Sequence, residues 1–311
     1  MNKLSETSSS NTIPRAKLGR LGIAGRRIKD LVAVTALSLM AVLGACEKGE
    51  DSKKAAIERC YDPGHRRQYL FQQMIFVALA IHIVMNDDGA SDINEDAIRV
   101  NIDDLRRVYG DMIRDFYVAR VRRVHDSALQ PNMIPGESRD EYEDRLRAYI
   151  DVNGTDGAVD IMYIPGDTGV SGTYLTTPKG EEFLALYTDD AGTTYLKKAT
   201  AHEMGHILEL KHPFASGGDG LDDTVNYSEA CAHIQSITTY MSGDVCMAAC
   251  GDGSNAAPAN LMDYNLCTGD VGQTLQVYPE ELTYDQLEFA NCVLQSAKTE
   301  YINPDLDEVD F

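Results

Sequence analysis

Apolar positions along the chain change period several times, and each change marks an element. Met74 to Met85 is almost continuously apolar and stops at Asn86-Asp87-Asp88-Gly89. A run of that length between turn residues fits a buried strand, although periodicity alone does not separate it from a buried helix. His82 inside it reads as a core or edge histidine. Ile98, Ile102, Leu105 and Tyr109 then recur at helical spacing, with Gly110 as a stop. Phe116 to Val124 alternates as a strand does. Ser138-Arg139-Asp140-Glu141 is a capping box that opens an amphipathic helix through Tyr142, Leu146 and Tyr149. Val159–Ile164 and Glu182–Thr188 are short strands, and Val170–Leu175 reads as an edge strand between them. A helix from about Thr193 carries Leu196, Ala199 and Ile207. Thr283 and Gln286 form a second capping box, before a helix through Leu287, Ala290 and Leu294.

This order of strand, helix, strand, helix, strands, helix predicts an α+β fold, a mixed sheet with two long helices behind it. The chain contains no G-x-G-x-x-G, no P-loop and no G-x-S-x-G element, so nucleotide binding and serine hydrolase chemistry have no support.

The helix from Thr193 runs into His202-Glu203-Met204-Gly205-His206-Ile207-Leu208-Glu209-Leu210-Lys211-His212. At about 100° per residue, His202 and His206 lie on one face, one turn apart. Two neutral imidazoles so placed can hold one Zn²⁺ at roughly 2.0–2.1 Å each. Glu203 is placed to take a proton from a water at that metal. The third ligand is open on spacing alone. His212 can join only if the helix ends near Leu208–Leu210 and the chain turns back. Glu209, seven residues after His202, shares its face and would need no turn.

The motif resembles the signature of the metzincin zinc peptidases, H-E-x-x-H-x-x-G-x-x-H, with Glu209 where that family has Gly. A second stretch, Asn260-Leu261-Met262-Asp263-Tyr264, resembles the turn that carries a methionine beneath the metal in those enzymes. Asp223-Thr224, Cys231 and the C-terminal helix opening at Leu282-Thr283 point to the pappalysin-like branch. The resemblance extends over about residues 70–302 and is strong at 196–212 and 258–268. It implies a metzincin-like catalytic domain, with a twisted mixed sheet, a backing helix, an active-site helix and an irregular C-terminal subdomain ending in a helix. It also implies His202, His206 and His212 as zinc ligands, Glu203 as general base and Met262 as an apolar floor. Tyr264 would stabilise an oxyanion, or simply pack beside the turn.

Composition adds compartment and charge. Residues 1–30 are basic, and Leu31 to Gly44 carries no charge over 14 residues, which suits the core of a secretion signal. Leu43-Gly44-Ala45-Cys46 resembles a bacterial lipobox, implying a signal peptide over 1–45 and lipid on Cys46. That places the protein in the bacterial cell envelope, held to a membrane by its N-terminal lipid only. Residues 46–68 are polar and read as a tether or short pro-segment. The peptidase domain is expected over 69–302, its upper part ending near 212 and its lower part starting at 213. An acidic tail follows over 303–311.

The full chain has 28 basic and 49 acidic residues, and loss of 1–45 leaves 21 and 47, a net charge of −26. Nucleic acid is therefore an unsuitable partner. Six cysteines remain besides Cys46, with no C-x-x-C pair, and export favours disulfides. Cys60 has two readings, a disulfide or a thiolate on the metal of a latent form. The Gly- and Asp-rich stretch 217–224 would either wrap a structural Ca²⁺ through Asp219, Asp222 and Asp223 or be a solvated acidic loop.

These readings combine into a zinc endopeptidase acting on a protein or peptide substrate laid along an edge strand. Two rivals remain: a zinc peptidase of another class using Glu209, and a zinc-binding envelope lipoprotein without catalysis.

Overall fold

The computed structural model describes residues 50–69, 75–85, 93–131, 134–166, 171–188, 193–227, 238–242, 245–249, 257–258, 260–263, 267–268, 276–277, 281–302 and 304–309. The leader, Cys46 and Tyr264 lie outside them, as do the side chains of Cys231, Cys246, Cys250 and Cys267. No helix among these residues is long and apolar enough to cross a membrane.

A five-stranded sheet organises the domain. Its strands are β1 (Phe76–Met85), β2 (Asp115–His125), β3 (Ala158–Pro165), β4 (Gly172–Thr176) and β5 (Glu182–Thr188). They lie in the order β2-β1-β3-β5-β4. β1 pairs in parallel with β2 and β3, β3 pairs in parallel with β5, and β4 alone runs antiparallel at the edge. A strand flanked on both faces needs apolar residues at every position. This explains the unbroken run in β1, where the eight residues from Val77 to Val84 are buried.

Alternation along β1 sorts two cores. Val77, Leu79, Ile81 and Ile83 face helix α3 (Glu95–Tyr109) and helix α5 (Thr193–Ile207), the latter through Ala201, Met204 and Ile207. Val84 and its neighbours Met162, Ile164 and Phe183 meet helix α4 (Arg139–Asn153) through Tyr142, Leu146 and Ile150. Two helices therefore lie on one side, as expected, and α4 covers the other. His82 is a core histidine on the α4 side, its Nε2 2.7 Å from Asp160 Oδ1 and its Nδ1 3.2 Å from the Tyr149 hydroxyl.

Both predicted capping boxes form, at Ser138/Glu141 on α4 and at Thr283/Gln286 on α6 (Tyr284–Ser296). The lower half of the chain supplies short strands: β6 (Thr238–Ser242), β7 (Val245–Ala249) and β8 (Ala257–Pro258) in one sheet, β9 (Cys267–Thr268) and β10 (Gln276–Val277) in another.

The stretch read as a tether or short pro-segment is helical and packed from residue 50 on, so it is not a solvated tether. Residues 50–60 form a helix, α1, followed by α2 (Pro63–Arg66). Ala56 and Cys60 are four apart and buried, a stripe masked in the sequence by the charges around it. Tyr61 packs on Phe289 of α6 at 4.7 Å. The Arg66 guanidinium, 2% exposed, donates to the carbonyls of Cys60 and Tyr61 and pairs with Asp285 and Glu288. Cys60 forms a disulfide with Cys292 of α6, which removes the latent-thiolate reading because no thiolate remains.

That bridge closes a loop with a sequence separation of 232. Replacing both cysteines with serine is expected to cost about 2–4 kcal/mol, a fall in melting temperature of about 5–15 °C by calorimetry. An unchanged melting temperature would show that α1 is held by packing alone.

Candidate active site

Helix α5 presents His202, Glu203 and His206 within its last two turns, and the way it stops decides the third residue. The helix ends at Ile207. Glu209 follows with φ 63°, the one positive φ outside glycine among the described residues. The Glu209 N–H donates to the His206 carbonyl at 3.0 Å and the Leu210 N–H to the Gly205 carbonyl at 2.9 Å. These two bonds make a Schellman cap, with Glu209 at the position usually held by glycine. A side chain in the left-handed region costs about 1–2 kcal/mol. The turn reverses the chain and brings His212 back to the helix.

The three Nε2 atoms converge. His212 Nε2 is 3.1 Å from His202 Nε2 and 3.1 Å from His206 Nε2. His202 Nδ1 donates to the Leu261 carbonyl and His206 Nδ1 to the Leu210 carbonyl, each at 2.8 Å. Those bonds set the tautomer, so the Nε2 lone pairs of these two rings point inward. Burial lowers the pKa of all three: His202 to about 4, His206 in the same direction, and His212 to about 3 with the neighbouring rings adding to the effect. The rings are therefore neutral, as ligands must be. Two nitrogens about 2.05 Å from a tetrahedral Zn²⁺ lie about 3.4 Å apart. The spacing here matches within a few tenths of an ångström. Neutral nitrogens this close repel unless a cation or a proton lies between them, and the donor set fits zinc.

Among the described residues these histidines are the one group of three or more metal-ligating side chains brought together. Glu209 is not among them, since its Oε1 lies 3.0 Å from Lys298 Nζ. Phe214 stacks on His212, ring centroids 4.7 Å apart.

Glu203 is 8% exposed. Burial pushes its carboxyl up to about 7, against a lowering hydrogen bond from the Tyr174 backbone. A cation at the three nitrogens would pull this value down. Tyr174 lies on edge strand β4, with its ring centroid 6.3 Å from that of His206. At Gly172 of the same strand, a Cβ would come within 3.1 Å of Glu203 Cγ, so glycine makes room for the carboxylate.

The turn 260–263 lies beneath α5. Met262 is fully buried, and a Cβ on Gly205 would sit 2.6 Å from its sulfur. Gly205 thus lets the helix rest on the thioether. Asn260 shapes the turn: its Oδ1 accepts from the Met262 N–H at 2.8 Å, and its Nδ2 donates to Gln286 Oε1 at 2.6 Å. Gln286 Nε2 in turn donates to Asp219 Oδ2 at 3.1 Å. Asp219 also accepts from Leu221 N and the Thr224 hydroxyl. Asp223 accepts from Thr283 Oγ1 and the Asp285 N–H. Protein donors therefore meet two of the three carboxylates that were candidates for calcium, Asp219 and Asp223, and both Asp222 and Asp223 are exposed. The sequence did not point to Gly205, Tyr174 or Lys298, because each matters through a contact with a distant segment.

A solved promirolysin mutant of Tannerella forsythia is similar over 76% of this chain and 88% of its own, at 15% identity and a TM-score of 0.50. Metalloproteinase-II of Bacteroides fragilis is similar over 47% of this chain and 51% of its own, at 18% identity and a TM-score of 0.28, too partial to argue from. No protein-family profile and no curated protein matches the chain. The first likeness, with the five-stranded sheet and its helices, shows an α+β fold similar to that of the promirolysin mutant.

Gly205→Ala is expected to cost about 1–3 kcal/mol in urea unfolding. Adding Met262→Ala should recover part of that loss, whereas simple additivity would mean that the two residues do not press on each other. Asp263 tests a charge beneath the site. Burial pushes its carboxyl up to about 6 from 3.8, against a lowering hydrogen bond from the Asn260 N–H. Between these values the folded chain holds a proton that the unfolded chain has lost, so stability falls as pH rises from about 4 to about 6. Asp263→Asn, which keeps an acceptor for that N–H, is expected to flatten the slope by up to about 3 kcal/mol.

Proposed function

We propose that the chain is a zinc-dependent endopeptidase. The observation that carries this reading is the convergence of three neutral imidazoles beside a buried carboxylate and the edge strand of the sheet. His202, His206 and His212 would hold the ion. Bound zinc supplies a Lewis acid that polarises a peptide carbonyl and lowers the pKa of a water to about 7.

The chain's own groups supply the rest. Glu203, held by the Tyr174 backbone and enclosed near Gly172, takes the proton of the attacking water and returns it to the leaving amine. The carbonyls of Leu261 and Leu210 keep two ligand rings in the required tautomer. Strand β4 offers backbone groups for an extended peptide to pair with, antiparallel, across the front of the site. Tyr264, two residues after Met262, is the proposed oxyanion donor. Processing at Cys46 would anchor the enzyme by lipid in the bacterial cell envelope. The strongly acidic surface disfavours nucleic acid as a partner.

Zinc content by mass spectrometry and hydrolysis of casein or a broad peptide library test the reading together. Wild type is expected to bind one equivalent of zinc and to lose activity with a chelator. Glu203→Gln should keep the zinc and lose about 10²–10⁴-fold in kcat. Hydrolysis undiminished in Glu203→Gln would remove Glu203 as the base. A zinc-loaded wild type inert on the whole library would instead make the chain a zinc-binding envelope protein.

A further inference from the structure

Lys298 follows α6 and lies 4% exposed, far in sequence from the zinc-motif helix. Its ammonium is 2.5 Å from both carboxylate oxygens of Glu182 and 3.0 Å from Glu209 Oε1. Glu182 Oε1 also accepts the Tyr174 hydroxyl at 2.5 Å. One buried cation thus joins the turn between the second and third histidines to the edge strand beside Glu203.

We propose that Lys298 and Glu209 are positioning residues of the metal site, and that their ion pair holds the chain reversal that delivers His212. The inference rests on the zinc-site reading above. Three observations meet here. Glu209 alone among the described non-glycine residues has a positive φ. Its cap bonds fix where Leu210 turns, and the Leu210 carbonyl orients His206. Its carboxylate ends on Lys298, which is too buried to pair with solvent and already anchored by Glu182. Glycine at this position would adopt the turn unaided. Glutamate adopts it because its side chain is held from outside. Without that hold the helix gains by continuing in the right-handed region, and a continuing helix carries His212 away from His202 and His206.

The test is the apparent zinc Kd, read by competition with a chromophoric chelator, in purified full-length protein whose near-UV circular dichroism reports folding. Glu209→Ala removes the carboxylate and keeps a side chain that resists the turn. Glu209→Gly removes both the carboxylate and the resistance. The alanine variant is expected to bind zinc on the order of tenfold more weakly, and the glycine variant within about threefold of wild type. Lys298→Met should weaken binding on the order of tenfold in the wild-type background, and far less in the Glu209→Gly background.

A merely structural role would lower the melting temperature of these variants without separating alanine from glycine in zinc affinity. Equal affinities for the two Glu209 variants would overturn the inference, as would an equal loss from Lys298→Met in both backgrounds. Should Lys298→Met not fold, the alanine–glycine pair decides alone. His212→Ala is the control. Unchanged zinc affinity there would overturn the three-histidine site itself, and a loss there with no alanine–glycine difference would overturn only the role of Glu209 and Lys298.

Discussion

Three imidazole Nε2 atoms are gathered at one point, and the fold has to hold them there. Two come without effort, since residues four apart on a helix share a face. The third requires the helix to stop, reverse and return within six residues. Most of what surrounds α5 serves that constraint. The Leu261 and Leu210 carbonyls hold two rings by their outer nitrogens. Tyr109 of α3 donates to the Ala201 carbonyl at 2.7 Å, fastening the middle of the helix to its neighbour. Met262 supports the helix from below where Gly205 permits close approach.

The cost of this geometry is concentrated at the end of the helix. A side chain stands in a left-handed backbone conformation, and an ammonium with two carboxylates lies at the same corner. Buried ion groups gain little net stability once desolvation is counted, and their usual benefit is to select one arrangement over others. The rest of the domain is ordinary in contrast: three central parallel strands, β1, β3 and β5, buried nearly throughout, with helices packed at apolar positions.

Features written in neighbouring residues were legible in advance. The i, i+4 histidines, the two capping boxes and the continuous apolar run of β1 all depend on short spacings, while the methionine turn was read from the family resemblance. Features made by distant pairs were not. Cys60 could be read as bridged or as a metal thiolate, and the choice is made by Cys292, on another helix. The charges around Ala56 and Cys60 suggested a solvated tether, because the apolar stripe on α1 is only two residues wide and its partner lies at the opposite end of the chain. Asp219 and Asp223 could be read from composition as cation ligands or as part of a solvated loop, and nothing nearby announced that Gln286, Thr283 and the Asp285 N–H, 60 or more residues away, donate to them. Lys298 carried no local signal, since its meaning depends on Glu182 and Glu209.

The cystine between Cys60 and Cys292 links α1 to α6, so nearly the whole domain is a covalent ring. One backbone cut inside that ring releases no fragment. Both pieces stay joined, and packing can hold them in register. Under the proposed peptidase activity such cuts are to be expected, and a molecule nicked once in a surface loop would keep its histidines on a single connected framework.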